Sequence, residues 1–385
     1  MVYKNFKDLK LSALGFGAMR LPVSDGSADV IDEAATDEMI AYAMKNGINY
    51  YDTAWGYHMG NSETVLGKCL SKYPRDSFYL ATKFPGYDLS YMDKVEYIFE
   101  EQLKKCGTTY FDFYLLHNVI EHNIDDYLDE SHGIVKYLLE QKEKGRIRHL
   151  GFSAHGSCEI MERFLQAYGQ HMEFGQLQVN YIDWTFQSAK EKVQLLDKYN
   201  IPVWVMEPLR GGKLASMSDK DAAKLLALRP EEKIPAWAFR FLQTLPNVTM
   251  TLSGMSTMEQ LKDNIKTYET DSPLNEAELN TLMEIADGMV REIALPCTSC
   301  RYCIKECGQG LDIPLLIALY NENCFSGGGL RAPMRLKAMS VDEHPSACVG
   351  CKSCEAVCPQ QIKISEAMAD FAEKMSKVSS IYLGK

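Results

Sequence analysis

The sequence lacks the features that mark membrane, secreted or nucleic-acid-binding proteins. No long apolar stretch occurs in the first residues, MVYKNFKDLKLSALG, so we expect neither a signal peptide nor a membrane anchor. No run of Lys and Arg is long enough to grip phosphates, and the formal net charge is −11, which disfavours nucleic acid as a partner. The hydrophobic content of 46% and charged content of 24% are those of a soluble globular protein, which we expect to be cytoplasmic.

Cysteine is scarce in the first three quarters of the chain. Only Cys69, Cys106 and Cys158 lie in the first 290 residues, whereas the other nine of the twelve cysteines follow Leu295. Where no export signal is present, such crowding indicates metal ligands rather than disulfides. The composition also changes at this point to Cys, Gly and Pro. The sequence therefore predicts two domains, residues 1–290 and residues 291–385.

The first domain contains eight short runs of apolar or β-branched residues, with helical patterns between them. The runs are 13–19, 48–53, 78–83, 111–117, 149–153, 177–180, 201–206 and 248–253. Glycine follows several helical patterns where a helix would end, as at Gly47, Gly107 and Gly145. Eight strands alternating with helices predict an α/β fold, the (β/α)8 TIM barrel. An open doubly wound sheet is the alternative, but no GxGxxG follows the first run.

The cysteines of the second domain form two runs of identical spacing, C-x2-C-x2-C-x3-C. The runs are Cys297, Cys300, Cys303 and Cys307, and Cys348, Cys351, Cys354 and Cys358. This spacing matches the bacterial ferredoxin pattern, in which three cysteines of one run and the fourth of the other bind one 4Fe–4S cluster. The pattern implies two clusters, with Cys358 joining the first run and Cys307 joining the second. Zinc ribbons and disulfides are the alternatives, and Cys324 has no partner in the pattern.

A predicted helix separates the two cysteine runs. It lies in the 40 residues between Cys307 and Cys348 and covers residues 313–321. A weaker amphipathic helix follows the last cysteine at about 365–375. This arrangement favours a small α-helical ferredoxin-like domain over the compact βαββαβ kind.

Four polar residues fall at the predicted ends of three successive strands. These residues are Asp52, Tyr57, Lys83 and His117. In a (β/α)8 barrel, chemistry takes place at the carboxyl ends of the strands. A phenol is a poor acid at neutral pH unless a cation lies beside it, and Lys83 would supply that cation while Asp52 holds it in place. His117 would orient a substrate carbonyl. Each residue alone has a plainer interpretation, as a solvated, ion-paired or packing side chain.

The motifs around these residues resemble those of the aldo-keto reductases. The resemblance is carried by LSALGFGAMRLP, YDTAWGY, LATKF, LLHN, GFSAHG and SGMSTMEQLKDN, from about residue 7 to residue 267. It implies a catalytic tetrad of the four strand-end residues with Tyr57 as general acid, and NAD(H) or NADP(H) as coenzyme. Together with the cysteine runs, the chain resembles the iron–sulfur-fused aldo-keto reductases of anaerobic bacteria.

The resemblance also implies a set of residues along the coenzyme. Ser153 and Gln178 would bind the nicotinamide carboxamide. The loop over the pyrophosphate would contain Pro208, Leu209, Arg210, Gly211 and Lys213. Gly254, Met255, Gln260 and Asn264 would lie near the adenosine end.

This sequence departs from the family pattern at several coenzyme positions. Ala154 stands where many members have Asn, and Met206 stands where an aromatic ring commonly stacks on the nicotinamide. Gly254 and Gln260 replace the Lys and Arg that in many members hold the 2′-phosphate of NADP. We therefore expect a preference for NADH, which Arg210 and Lys213 could offset.

The sequence favours an oxidoreductase that reduces a carbonyl or oxidises an alcohol by hydride transfer from NAD(P)H. Its substrate would be a small molecule, and its clusters would exchange electrons with a redox partner protein. One alternative is an iron–sulfur electron-transfer protein whose barrel serves as a docking or sensing module. Another is that the clusters only stabilise a domain with a small core. A flavin usually mediates between hydride and one-electron chemistry, and the sequence carries no flavin-binding signature.

Overall fold

The computed structural model describes residues 1–24 and 30–382, with side chains described through residue 378. The chain divides into two compact units, Met1–Leu282 and Met283–Lys385. The division falls inside a helix, somewhat before the boundary that we expect at residue 290.

The first unit is built on a closed barrel of eight parallel strands. The strands of this unit are β1 (Tyr3–Phe6), β2 (Leu9–Ser12), β3 (Leu14–Gly17), β4 (Tyr50–Asp52), β5 (Tyr79–Phe84), β6 (Phe111–Val119), β7 (Ile147–Ala154), β8 (Gly175–Gln178), β9 (Val203–Met206) and β10 (Val248–Gly254). Strands β3 to β10 each overlap one of the eight predicted runs and follow one another around the barrel. Because β10 pairs in parallel with β3, the sheet has no free edge, and the open-sheet alternative is wrong.

Helices follow the barrel strands, as the apolar periodicity predicts. They are α1 (Glu33–Lys45), α2 (Ser62–Leu70), α3 (Val95–Cys106), α4 (Ile124–Leu128), α5 (Ile134–Glu143), α6 (Cys158–Tyr168), α7 (Asp183–Phe186), α8 (Ala189–Lys198), α9 (Asp219–Leu228), α10 (Ile234–Gln243), α11 (Met258–Thr267) and α12 (Glu276–Ile293). Gly107 ends α3 in the left-handed region, with φ +61°, which glycine adopts without steric cost. Within the described residues, no helix is long and apolar enough to cross a bilayer.

An N-terminal hairpin closes the amino-terminal end of the barrel. Strands β1 and β2 pair antiparallel, and Phe6 packs against aromatic rings of the barrel interior, including Phe113, Phe174 and Trp204. The apolar runs do not predict this hairpin, because β1 has only two aromatic residues among polar ones. Since the hairpin fills the bottom of the barrel, the opposite end remains for chemistry.

The second unit is helical throughout its described part, Met283 to Tyr382. After α12 it contains α13 (Tyr302–Lys305), α14 (Ile313–Ser326), α15 (Arg331–Lys337), α16 (Ser353–Ala356) and α17 (Ile364–Tyr382). Its core joins Ile317, Leu316, Met368 and Phe371 from α14 and α17. The expectation of an α-helical iron–sulfur type of domain is confirmed over these residues.

Candidate active site and cysteine sites

Lys83 is the centre of a buried polar group at the carboxyl ends of β4 and β5. It is fully buried, and Asp52 is 3% exposed. Lys83 Nζ donates to Asp52 Oδ1 at 2.6 Å, to the carbonyl of Thr53 at 2.7 Å and to Tyr57 Oη at 3.4 Å. Neighbouring parallel strands end at the same edge of the barrel, which is why these residues meet.

The ammonium and carboxylate form a buried ion pair. Burial lowers the pKa of Lys83, but Asp52 and Tyr57 raise it, and the net direction is upward. Burial raises the pKa of Asp52, and Lys83 opposes this rise. The pair is therefore ionised, because neutralising either partner would leave the other as an unpaired buried charge.

A buried hydrogen-bond network holds the end of β5 from the helix side. Gln102 Nε2 donates to the carbonyl of Lys83 at 2.9 Å and to Glu63 Oε1 at 2.8 Å. Glu63 also accepts from Thr82 Oγ1 at 2.7 Å, and Gln102 accepts from Tyr114 Oη at 2.6 Å. Because these side chains are fully buried, the network fixes the backbone at Lys83. Glu63 and Gln102 are not predictable from the apolar runs, because both lie on helices and not at strand ends.

Tyr57 lies just beyond β4 with its ring beside Lys83. Lys83 Nζ is 4.9 Å from the centre of that ring. Burial raises the pKa of Tyr57, Lys83 lowers it, and the net direction is upward. The expected effect of the cation is present but is outweighed by burial. The phenol is therefore protonated in the free protein and carries a hydrogen that it can donate.

The turn that begins with Tyr57 has an unusual backbone. His58 and Met59 both adopt the left-handed region, with φ of +50° and +53°. The N–H of Leu21 donates to His58 Nε2 at 3.0 Å and so ties this turn to the loop after β3. Left-handed non-glycine residues cost free energy and occur often at functional sites. This strained turn therefore sets the position of the Tyr57 phenol.

His117 faces Tyr57 from the carboxyl end of β6. The two rings are nearly perpendicular, with centres 6.2 Å apart, and the ring of Tyr87 lies 5.2 Å from His117. Burial lowers the pKa of His117 well below its usual 6.5, and Lys83 adds to this effect. The imidazole is therefore neutral. Among residues 1–24 and 30–382, His117 Nδ1 and Asp52 Oδ2 are buried without a hydrogen-bond partner.

Two of the expected coenzyme residues are bound to Asp183. The sequence alone does not predict a role for this carboxylate. Gln178 Nε2 donates to Asp183 Oδ2 at 2.7 Å, and Arg210 Nε donates to both Asp183 oxygens at 3.1 and 3.2 Å. Asp183 is fully buried and Arg210 nearly so. The charge of Arg210 is thus neutralised inside the barrel unit. Ser153, at the end of β7, accepts from the N–H of Asn118 at 3.2 Å.

The residues expected near adenosine lie at the end of β10 and on α11. Met255 is fully buried, and Asn264 is buried and donates to Ser253 Oγ at 3.1 Å. Gln260 Oε1 accepts from the N–H of Ser256 at 2.8 Å at the start of α11. These contacts shape the loop after β10, and any contact with a nucleotide stays a prediction.

The loop after β9 contains the expected pyrophosphate residues. Pro208 and Leu209 lead into a tight turn, Arg210–Ala215, in which Gly211 and Gly212 have φ of +66° and +93°. Glycine adopts these angles without steric cost, whereas other residues are strained in this region. Lys213 is exposed on the same turn.

Four thiols, drawn from both runs, line one cavity of the second unit. They belong to Cys297, Cys300, Cys303 and Cys358. Burial raises the pKa of Cys303, and the three neighbouring thiols raise it further. This is the set that the ferredoxin pattern implies for one cluster, and four thiols are the donors that a 4Fe–4S cluster needs.

The second run has the same local structure as the first. The short helices α13 and α16 each begin after a left-handed residue, Arg301 with φ +66° and Lys352 with φ +63°. Burial, together with the neighbouring thiols of Cys348 and Cys307, raises the pKa of Cys354 to about 11. Cys307 of the first run therefore lies beside the second run.

In the part of the chain that the structure describes, no three His, Cys, Asp or Glu side chains converge closely enough to hold one metal ion. A 4Fe–4S cluster binds its thiolates at four separate corners, so they stand further apart than the ligands of one ion. All twelve cysteines are free thiols.

Comparison with known proteins identifies the class of the barrel unit. The family model described as "Aldo/keto reductase family" matches residues 13–287, and the model described as "4Fe-4S dicluster domain" matches residues 296–363. Because the first match spans most of the chain, the protein belongs to the aldo/keto reductase family and is an oxidoreductase. Its C-terminal unit is a 4Fe–4S dicluster-type domain.

Several relatives and solved structures resemble the barrel. The NADH-specific methylglyoxal reductase of Escherichia coli K12 is 25% identical over 74% of this chain and 97% of its own. The holo form of an aldo-keto reductase from Bacillus halodurans is 25% identical, with a TM-score of 0.60, over 74% of this chain and 96% of that one. An aldo-keto reductase from Klebsiella pneumoniae in complex with NADPH has a TM-score of 0.58 over the same shares at 19% identity, which shows the fold alone.

Proposed function

We propose that the barrel reduces the carbonyl group of a small molecule, or oxidises the corresponding alcohol, with NADH or NADPH as hydride donor. The observation that carries this proposal is the contact of the buried, charged Lys83 with both Asp52 and the phenol of Tyr57. An ion pair that only stabilised the fold would not require a phenol held beside it in a strained turn. Transfer of a proton to a carbonyl does require such a donor. The family relationship supports the same reaction class.

Tyr57 is the proton donor in this proposal. Its oxygen accepts from Lys83, so its own hydrogen is directed away from Lys83. As negative charge develops on the substrate oxygen, Tyr57 transfers this proton, and Lys83 stabilises the phenolate that forms. Asp52 keeps Lys83 in place and balances its charge in the barrel. A bound nicotinamide coenzyme supplies the hydride.

His117 orients the carbonyl. Because burial and Lys83 keep its imidazole neutral, it can donate one N–H bond without competing with Tyr57 as an acid. Its ring lies against the rings of Tyr57 and Tyr87, which limits its rotation. In this proposal the carbonyl oxygen lies between His117 and Tyr57.

The residues around this group fit a nicotinamide coenzyme. Ser153 and Gln178 lie at the ends of the neighbouring strands β7 and β8, where a carboxamide would meet a hydroxyl and an amide oxygen. The left-handed turn at Gly211 brings backbone close to the position proposed for the pyrophosphate. Gln260 lies at the start of α11, where the helix dipole favours an anion.

We further propose that the C-terminal unit holds two 4Fe–4S clusters. Cys297, Cys300, Cys303 and Cys358 would bind one, and Cys348, Cys351, Cys354 and Cys307 would bind the other. The shared cavity and the proximity of Cys307 to the second run support this division. Each cluster supplies a one-electron centre. Because Cys300 and Cys351 are exposed, we propose a redox partner protein as the source or acceptor of those electrons.

The carbonyl reductase proposal is tested with anaerobically purified protein that retains its iron. NADH or NADPH is incubated with a panel of small aldehydes and ketones, and nucleotide oxidation is followed. Oxidation that requires both protein and carbonyl supports the proposal. Failure to bind or oxidise either nucleotide with every carbonyl would contradict it and favour the electron-transfer alternative.

A further inference from the structure

Arg20 connects the two loops that are proposed to hold the coenzyme phosphates. It follows β3, and its backbone carbonyl accepts from Ser256 Oγ at 2.9 Å. A Cβ added at Gly254 would lie 3.1 to 3.2 Å from the carbons of the Arg20 stem, and one added at Gly211 would lie 3.0 Å from Arg20 Nη2. The side chain therefore runs from the loop after β10 to the loop after β9.

The glycine at position 254 makes room for Arg20. A lysine there, as in many family members, would press its Cβ against the Arg20 stem at 3.1 Å. Such a distance is tighter than ordinary van der Waals contact. A Cβ at position 254 would therefore require the Arg20 stem to shift by a few tenths of an ångström. From its place after β3, Arg20 brings a positive charge to the loops after β9 and β10.

The arginine of the loop after β9 is held in a buried ion pair. Arg210 is buried, and its charge is neutralised by Asp183. The Arg20 side chain is 46% exposed. Its ion pair with Glu207 is long, with 3.7 Å between Nη2 and Oε1. An exposed pair of this length adds little stability, so the guanidinium can exchange partners at small cost.

Glu207 is the ion-pair partner of Arg20 in the free protein. It follows β9 in the left-handed region, with φ +56°, and its Oε2 would lie 3.7 Å from a Cβ at Gly211. A carboxylate at this point repels a diphosphate and competes with it for the Arg20 guanidinium. In the free protein Glu207 is therefore the partner that a diphosphate would replace.

We propose that Arg20 is a phosphate-binding cation of the coenzyme site and exchanges Glu207 for the diphosphate bridge when a nucleotide binds. This inference rests on the proposed function. Because the guanidinium lies at Gly211 and only the apolar stem lies at Gly254, its target is the diphosphate and not the 2′-phosphate. NADH, NADPH and ADP-ribose share this diphosphate, so all three depend on Arg20 to the same degree.

The test measures nucleotide binding by the iron-containing protein, by calorimetric titration with NADH, NADPH and ADP-ribose. Arg20→Gln raises all three dissociation constants by a common factor of about 10 to 100, the size expected for a charge-assisted hydrogen bond. Arg20→Lys retains part of the affinity, and Glu207→Gln lowers the dissociation constants. Arg163→Gln is the matched control, since Arg163 is similarly exposed and pairs with Asp125 on the outside of the barrel.

The possible results of these titrations distinguish failure of the Arg20 inference from failure of the proposed function. An effect of Arg20→Gln on NADPH alone would assign Arg20 to the 2′-phosphate and overturn the inference. Binding by the wild-type protein that Arg20→Gln leaves unchanged would overturn it without affecting the proposed function. Absence of nucleotide binding by the wild-type protein would overturn both. An unchanged Glu207→Gln affinity would remove the exchange with Glu207.

Discussion

The two units combine polar chemistry with a hydrophobic core in different ways. In the barrel unit, large rings such as Tyr50, Phe113 and Trp204 fill the interior, and the polar residues lie above this core at the strand ends. In the C-terminal unit, Cys303 and Cys354 are members of the core itself, and other cysteines of both runs pack against it. We therefore expect the barrel to fold without a bound ligand, whereas the C-terminal unit has its ligand groups where core side chains would be.

Removal of iron is the strongest way to test this difference. We expect the unit Met283–Lys385 to lose its fold when a chelator strips the metal, because metal binding then supplies folding free energy that the small core lacks. The barrel unit should stay folded. Hydrogen exchange of the two units, measured before and after chelation by mass spectrometry, checks this expectation.

Iron content provides the control for that experiment. The wild-type protein should hold about eight irons and Cys354→Ser about four. Cys324→Ser should retain the full amount, since Cys324 belongs to neither run. Two outcomes would contradict the expected difference between the units. One is stoichiometric zinc without iron, and the other is a metal-free C-terminal unit that remains protected from hydrogen exchange.

Substitution of the proton donor is the next largest effect. Tyr57→Phe should lower carbonyl reduction by about 100- to 10,000-fold, the usual contribution of a general acid, with nucleotide binding nearly unchanged. Lys83→Met should also lower the rate, because it removes the cation beside the phenol. Steady-state rates with nucleotide titrations check both variants. Tyr97→Phe, on the outer face of α3, is the control.

Variants of the cluster cysteines should behave differently from variants of the barrel residues. Cys351→Ser with Cys354→Ser should leave carbonyl reduction intact, because the proposed proton donor lies in the barrel. Loss of activity in Tyr87→Phe with full activity in Tyr57→Phe would make Tyr87 the acid. Loss of activity in the cysteine variants would mean that reduction requires the clusters.

The residues that the sequence predicts and those that it misses differ in a physical sense. Strand ends can be located from apolar runs, so the sequence alone is enough to place Asp52, Lys83 and His117 at one rim of the barrel. It is not enough for Arg20, because the role of Arg20 depends on Gly211 and Gly254, which become its neighbours only when β10 closes on β3. Contacts across barrel closure join residues that are far apart in the chain and leave no local pattern.

The same distinction applies to the fold. Continuous apolar runs predict buried parallel strands, and all eight are present. The hairpin of β1 and β2 is missed because its strands are short and half exposed. Asp183 is missed because a buried carboxylate is recognised only from the groups that bind it.

The pH dependence should separate the two directions of the reaction. Burial raises the pKa of Tyr57 above its usual 10, so the phenol required for reduction stays protonated through neutral and mildly alkaline pH. Alcohol oxidation requires the deprotonated phenol, so its kcat/KM should rise about tenfold per pH unit without levelling below about pH 10. His117, with a pKa lowered below 6.5, becomes charged only in acid, where reduction should fall. A kcat/KM for oxidation that levels near neutral pH would indicate another base.

Coenzyme preference is the smallest expected effect. Gly254 has no side chain, and the Oε1 of Gln260 already accepts from Ser256, so the 2′-phosphate lacks a cation at these positions. We expect NADH to bind about tenfold more tightly than NADPH. Direct titration of both nucleotides checks this expectation, and Gln260→Arg should reduce the difference. A much smaller dissociation constant for NADPH would contradict it.

The most direct measurement follows a labelled hydrogen. NADH that carries deuterium at the transferable position of its nicotinamide ring is reacted with a carbonyl substrate in ordinary water, and the product is analysed by mass spectrometry. Direct hydride transfer in the barrel predicts deuterium on the carbinol carbon, in the wild-type protein and in the Cys351→Ser, Cys354→Ser variant alike. A product whose new C–H hydrogen comes only from water would show that the hydride of NADH does not reach the carbonyl carbon directly, and would contradict the proposed reaction.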